Sequence, residues 1–143
     1  MNKKIIIRTL EKIALYLELQ GENPFKVSAF RKAAAALEAD ERSLSEIDDI
    51  TAIKGIGKGT AAVIHELIEI GKSSVLEELQ QAVPKGLVPL MKLPGLGGKK
   101  LAKLYQELGI VDAASLKAAC EAGQVKALAG FGAKTEEKIL KEL

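Results

Sequence analysis

Three stretches of this 143-residue chain repeat one arrangement of residue types: IKGIGKGTAAVI (53–64), LPGLGGKKLAKL (93–104) and LAGFGAKTEEKI (128–139). Each holds an apolar residue, a spacer, Gly, an apolar residue and Gly, then returns an apolar residue seven places after the second Gly. A further apolar residue stands three places ahead of each block, at Ile50, Leu90 and Val125. The chemistry open to this pattern is anion binding by the main chain. The first glycine (Gly55, Gly95, Gly130) lets the chain reverse between two helices. The middle residue (Ile56, Leu96, Phe131) points back and pins the helices together. The second glycine (Gly57, Gly97, Gly132), followed by Gly59 in the first copy and Gly98 in the second, keeps the opening helical turn open to close approach. Unpaired N–H groups and the positive end of the helix dipole meet there, as an anion site requires. Lys58, the pair Lys99 and Lys100, and Lys134 stand where they add positive charge. Three such sites suit a polymer with regularly spaced phosphates, gripped by its backbone with little sequence preference.

A lone Gly-x-Gly between helices is often only a tight turn, but a turn alone does not require the same apolar flanks three times over. In the third copy Glu136 and Glu137 stand where the others have Ala or Leu, which leaves that copy open between a contact with the polymer and plain scaffold. No strand precedes any copy and no GxxxxGK[ST] is present, so neither a mononucleotide loop nor a dinucleotide fingerprint is indicated.

The elements that must position these turns all read as helices. Asn2 caps a helix through Ile6, Leu10, Ile13 and Leu17 that Gly21 ends, and Asn23-Pro24 opens the next, through Phe30, Ala33, Ala34 and Leu37. Ser43 with Glu46 predicts a capping box for a short helix reaching Ile50. Further helices are expected over 58–70, from Ser73 or Ser74 to before Pro84, over 87–90, over 98–108, over 112–122 and from Ala133. No period-2 strand is evident, so the fold class is all-α, of short helices in two small subdomains, 1–80 and 81–143. Two of the four prolines lie in the apolar 81–92 stretch between them.

Composition narrows the functional classes. One cysteine excludes a disulfide framework and a Cys-based zinc site, and His65 alone excludes a His-rich metal centre. The N-terminal MNKKIII run is interrupted by Arg8, Glu11 and Lys12 too early for a signal peptide, and no uncharged stretch is long enough to span a membrane. A monomeric cytoplasmic protein is expected. With 21 Lys and Arg against 19 Asp and Glu the net charge is only +2, divided as −2 over residues 1–80 and +4 over 81–143. Global charge therefore says little, and binding to a polyanion must rest on local geometry. Asp48 and Asp49 read as solvated charge, Cys120 as core and His65 as surface.

The three blocks resemble the helix-hairpin-helix motif of DNA repair and replication proteins. With NPFKVSAFRKAAAAL (23–37), IKGIGKGTAAVIHELIEIGKSSVLEEL (53–79) and GLVPLMKLPGLGGKKLAKLYQELGI (86–110), the chain resembles throughout the N-terminal part of a bacterial family X DNA polymerase, a relative of DNA polymerase beta. The resemblance implies that residues 1–80 bind the 5′ side of a DNA gap and that 81–143 hold the primer duplex, as the front of a nucleoid-associated repair enzyme. It places Lys26 at the downstream 5′-phosphate, Phe30 in that pocket in place of a tyrosine, Phe25 against the template base, and Arg31 and Lys32 on the same basic turn. Whether the two rings serve DNA or the helix core stays open from the residues. The resemblance also implies Na+ or K+ bound by main-chain carbonyls of Thr51, Ile53 and Ile56, and of Met91, Leu93 and Leu96. Divalent metal ions would belong to catalytic carboxylates beyond this chain, which is expected to stop before the palm.

Two departures bear on activity. The family's 5′-deoxyribose phosphate lyase uses a lysine that attacks the abasic sugar as a Schiff base. Val63 occupies that position here, and Gly59 that of another phosphate-pocket lysine. Gap-directed DNA binding is thus the leading expectation. The alternatives are a lyase working through another lysine such as Lys58, and a helical protein-interaction module in which the hairpins are only turns.

Overall fold

Glycines and short polar residues punctuate the chain, and helices fill the intervals. The computed structural model describes residues 1–93 and 96–143, and among these it contains α-helices, short 3₁₀ turns and no strand. The helices are α1 (Lys3–Leu19), α2 (Pro24–Ala39), α3 (Lys58–Ile70), α4 (Ser74–Ala82), α5 (Leu87–Leu90), α6 (Gly98–Leu108), α7 (Ala113–Glu121) and α8 (Ala133–Glu142). The Asn2 side chain accepts the Ile5 amide at 2.9 Å, and Asn23 accepts that of Phe25 at 2.8 Å. Ser73 caps α4 through the Leu76 amide at 3.3 Å. Gly71 and Gly109 close α3 and α6 in the left-handed conformation, each returning its amide to a carbonyl of the last turn.

The chain divides into two compact units, Met1–Leu17 with Glu22–Leu79, and Glu18–Gly21 with Gln80–Leu143. In the first, α1 buries Ile6, Leu10 and Ile13, α2 buries Val27, Phe30 and Leu37, and α3 buries Val63, Ile64 and Leu67. In the second, Leu87, Leu90, Leu101, Leu104, Leu116, Val125 and Ile139 form the core. Cys120 lies in that core, where burial pushes its thiol pKa up, and His65 is exposed.

The 40–52 segment departs from expectation. No capping box forms at Ser43, whose hydroxyl bonds the Glu46 carboxylate at 3.0 Å instead of a backbone amide. In place of one helix reaching Ile50 there are two 3₁₀ turns, 44–46 and 50–52. Asp49 is not merely solvated: it caps the second turn, accepting the Thr51 amide at 3.0 Å and the Thr51 hydroxyl, bonds that hold its carboxyl below the usual range. Asp40 grips Arg42 through the backbone amide, Nε and Nη2, and these bonds depress its pKa well below the carboxylate range. Lys3 donates to the carbonyls of Asp40 and Arg42, tying this segment to the start of α1.

Gly55 is required by the fold itself. Its φ is +103°, and a Cβ there would lie 3.3 Å from the Ala36 Cβ, so the turn presses directly on α2. Gly55→Ala is expected to cost about 1–2 kcal/mol through the left-handed backbone alone. Thermal denaturation reads that loss as a lower Tm.

Candidate nucleic-acid interface

The three repeated blocks share one hydrogen-bond frame. In the first, the Ile53 amide donates to the Ile50 carbonyl at 3.1 Å and the Ile56 amide to the Ile53 carbonyl at 3.2 Å. The equivalent pairs are Leu93 to Leu90 and Leu96 to Leu93, both 3.2 Å, and Leu128 to Val125 and Phe131 to Leu128, both 3.1 Å. Each second helix then starts with the same bond, Ala61 to Gly57 and Leu101 to Gly97 at 2.9 Å, and Glu136 to Gly132 at 3.0 Å. The flanking apolar residues explain this congruence. Ile50, Leu90 and Val125 before the turn, and Ile64, Leu104 and Ile139 after it, are all buried, so both helices of each pair are anchored at the same two places.

The second glycines lie outside any such constraint. Gly57, Gly97 and Gly132 have extended backbones that other residues adopt freely, with φ of −92°, −74° and −150°. A Cβ on any of them would meet nothing within 4 Å. The fold therefore does not need glycine there, and what the absent side chain leaves is room for an outside molecule to reach the helix start. In α3 the Gly57 amide donates to the Thr60 hydroxyl at 3.1 Å, which donates back to the Gly57 carbonyl. The amides of Lys58, Gly59 and Thr60 precede the first i→i−4 bond, as do those of Gly97, Gly98, Lys99 and Lys100 in α6. Lys58, Gly59, Lys99 and Lys134 are exposed. Each helix start thus combines amides left out of the i→i−4 ladder with an exposed lysine in the first turn, an arrangement suited to a phosphate oxygen. Gly95 lies outside the described residues; its counterpart Gly130 has a φ of +84°, as the reversal requires.

The third copy differs in two ways. Phe131 is not the buried pin that Ile56 and Leu96 are: its ring is half-buried, and the Lys100 ammonium lies 5.8 Å from its centroid. Glu136, whose acidic type left the third copy open between contact and scaffold, is turned inward. It is buried, and its carboxylate accepts the Lys126 amide at 2.8 Å. The repeat itself held that signal, because Glu136 occupies the register of Ala61 and Leu101, which are core residues.

On α2, Phe25 is 84% exposed in the first turn and Lys26, Arg31 and Lys32 are exposed around it, while Phe30 is buried at 7%. Phe30 therefore belongs to the core, and of the two rings Phe25 alone is exposed. The Lys32 carbonyl lies 3.6 Å from the Cβ position of Gly55, so the basic helix and the first turn are neighbours within one unit. Val63 is buried and apolar. The carbonyls of Ile53 and Leu93 each carry one turn bond, and those of Thr51, Ile56, Met91 and Leu96 lie in the same two turns. Among the described residues no group of three or more His, Cys, Asp or Glu is placed to hold a metal ion, and no helix is long and apolar enough to cross a membrane.

Comparison with known proteins agrees with this frame. Residues 1–73 match a helix-hairpin-helix domain family, and residues 48–109 and 87–143 each match a SAM-like helix-hairpin-helix tandem. The whole chain is 70% identical to part of the DNA polymerase/3′-5′ exonuclease PolX of Bacillus subtilis (strain 168) and spans 25% of that protein's length.

Proposed function

This chain belongs to the helix-hairpin-helix family, and we propose that it is the DNA-gripping front part of a family X DNA polymerase. It holds gapped or nicked duplex by its backbone. Residues 1–80 engage the downstream strand and residues 81–143 the primer duplex, and the rest of the polymerase carries out nucleotidyl transfer on divalent metal ions, in gap-filling repair. The observation that carries this reading is the set of second glycines, which the protein's own packing leaves unexplained and which a closely approaching strand explains.

Gly55 to Gly59, Leu96 to Lys100, and Gly130, Gly132 and Lys134 form the backbone-binding hairpins. Phe25 stacks on the unpaired template base, and Lys26, with Arg31 and Lys32, meets the 5′-phosphate. The main-chain carbonyls of the first two hairpins suit Na+ or K+, since neutral oxygens favour hard cations. Bound there, such an ion would add positive charge to a turn facing phosphate. The buried Val63 supplies no amine for a Schiff base, which disfavours lyase chemistry at that position.

Titration of gapped duplexes with and without a downstream 5′-phosphate, at two salt concentrations, tests the proposal. The phosphorylated gap is expected to bind several-fold more tightly, as one charge-assisted contact predicts. The logarithm of affinity is expected to fall with that of salt by about 0.9 per phosphate engaged, alike for unrelated sequences. Strong dependence on base sequence, or no binding at low salt, would refute it.

A further inference from the structure

We propose that Phe131 of the third hairpin is a positioning residue for Lys100 of the second, so that the two hairpins of residues 81–143 meet DNA as one rigid foot. This rests on the DNA-gripping reading above. In the repeat, Phe131 stands where Ile56 and Leu96 are buried pins, yet its ring is partly in solvent with the Lys100 ammonium 5.8 Å from its centroid. That separation is within the range of a cation–π contact.

Three residues further along α6, the Lys103 ammonium donates to the Ala129 carbonyl, in the turn of the third hairpin, at 2.6 Å. One face of α6 is therefore tied to the third turn at two points. Glu136, whose carboxylate accepts the Lys126 amide, ties the first turn of α8 to the segment leading into that turn. A lysine ordinarily gives up much rotamer freedom when it contacts a phosphate. Lys100, already held over a ring in the first turn of α6, loses less. Lys99 is exposed, whereas Lys100 is half-buried. The third hairpin thus serves the second whether or not it also touches a phosphate.

A double-mutant cycle on the full chain tests this, with anisotropy titration of a gapped duplex at low salt. The variants are Phe131→Leu, Phe131→Tyr, Lys100→Ala and the double Lys100→Ala/Phe131→Leu. Phe131→Leu keeps the apolar bulk and is expected to weaken binding about threefold, as loss of one exposed cation–π contact predicts. Phe131→Tyr is expected to restore it, and Phe131→Leu is expected to have no further effect once Lys100 is alanine. In the free protein, the Lys100 ε-methylene protons should show a ring-current shift that Phe131→Leu abolishes and Phe131→Tyr keeps. If Phe131→Leu weakens binding equally with and without Lys100, or leaves it unchanged, the proposal is overturned while the DNA reading stands. If the unmodified chain binds no DNA, the DNA reading falls and takes this proposal with it.

Discussion

Gly57→Asp and Gly97→Asp are each expected to weaken binding of gapped DNA at least tenfold, and together about a hundredfold, while leaving the protein as stable as before or slightly more so. The opposite signs follow from geometry. Both glycines are helix N-caps with an extended backbone, and a Cβ on either meets nothing within 4 Å. Aspartate is a preferred N-cap residue, its carboxylate accepting an early helix amide and complementing the dipole, so the helix loses nothing. The same carboxylate occupies the place proposed for a phosphate and satisfies the amides that would bind it. A charge-assisted hydrogen bond is worth about 1.5–3 kcal/mol, so losing one contact per hairpin gives at least the tenfold factor. Gly57→Asn and Gly97→Asn cap the helix without the added charge and should weaken binding less, separating obstruction from repulsion. Lys58→Ala, which removes one exposed cation, is expected to cost only a few-fold and to lower the salt slope by about 0.9. Thermal denaturation and anisotropy titration on the same samples provide both readings. Unchanged affinity in the double aspartate variant would show that these turns are not where DNA docks.

What could be read in advance was what short-range chemistry decides. The bounds of α3, α5 and α6 follow from glycines and prolines that act within a turn of their own position, and the three hairpins follow from a repeat that fixes both their flanks and their glycines. Three things escaped. The serine at 43 carries the right spacing to Glu46, yet its hydroxyl bonds that carboxylate rather than an amide, and Asp49, read as idle charge, does the capping further on. Phe30 and Phe25 are both aromatic and lie in the first half of one helix, but only the geometry of the first unit's core decides that one is buried and the other almost fully exposed. Glu136 is acidic where the other copies have Ala or Leu, which left the third copy open between contact and scaffold. Its register in the repeat points inward, and burial is paid for by one backbone amide.

Gly86 passes unnoticed in the sequence, one glycine in a proline-bearing stretch, yet Gly86→Ala is expected to be among the most destabilising single substitutions in the chain. Its φ of −65° is one alanine adopts without strain, so local conformation gives no warning. The obstacle is distant in sequence: a Cβ on Gly86 would lie 2.4 Å from the Val111 carbonyl oxygen and 2.7 Å from the Asp112 Cβ. Neither neighbour is free to give way. Asp112 caps α7 by accepting the Ser115 amide at 2.7 Å, and the Ser115 hydroxyl accepts the Val111 and Asp112 amides while donating to the Asp112 carbonyl. Relieving the overlap means breaking that cap or moving α5 off α7. Overpacking costs about 1–3 kcal/mol where side chains can adjust, and here the obstacle is backbone, so a loss of about 3 kcal/mol and a fall in Tm on the order of 10 °C are expected. Gly86→Ala with an unchanged Tm would mean that the 84–87 segment does not press on the start of α7. Because the same segment leads through α5 into the second hairpin, the variant should also weaken DNA binding at temperatures near its lowered Tm, unlike Gly97→Asp through loss of folded protein, and lowering the temperature should restore binding to Gly86→Ala but not to Gly97→Asp.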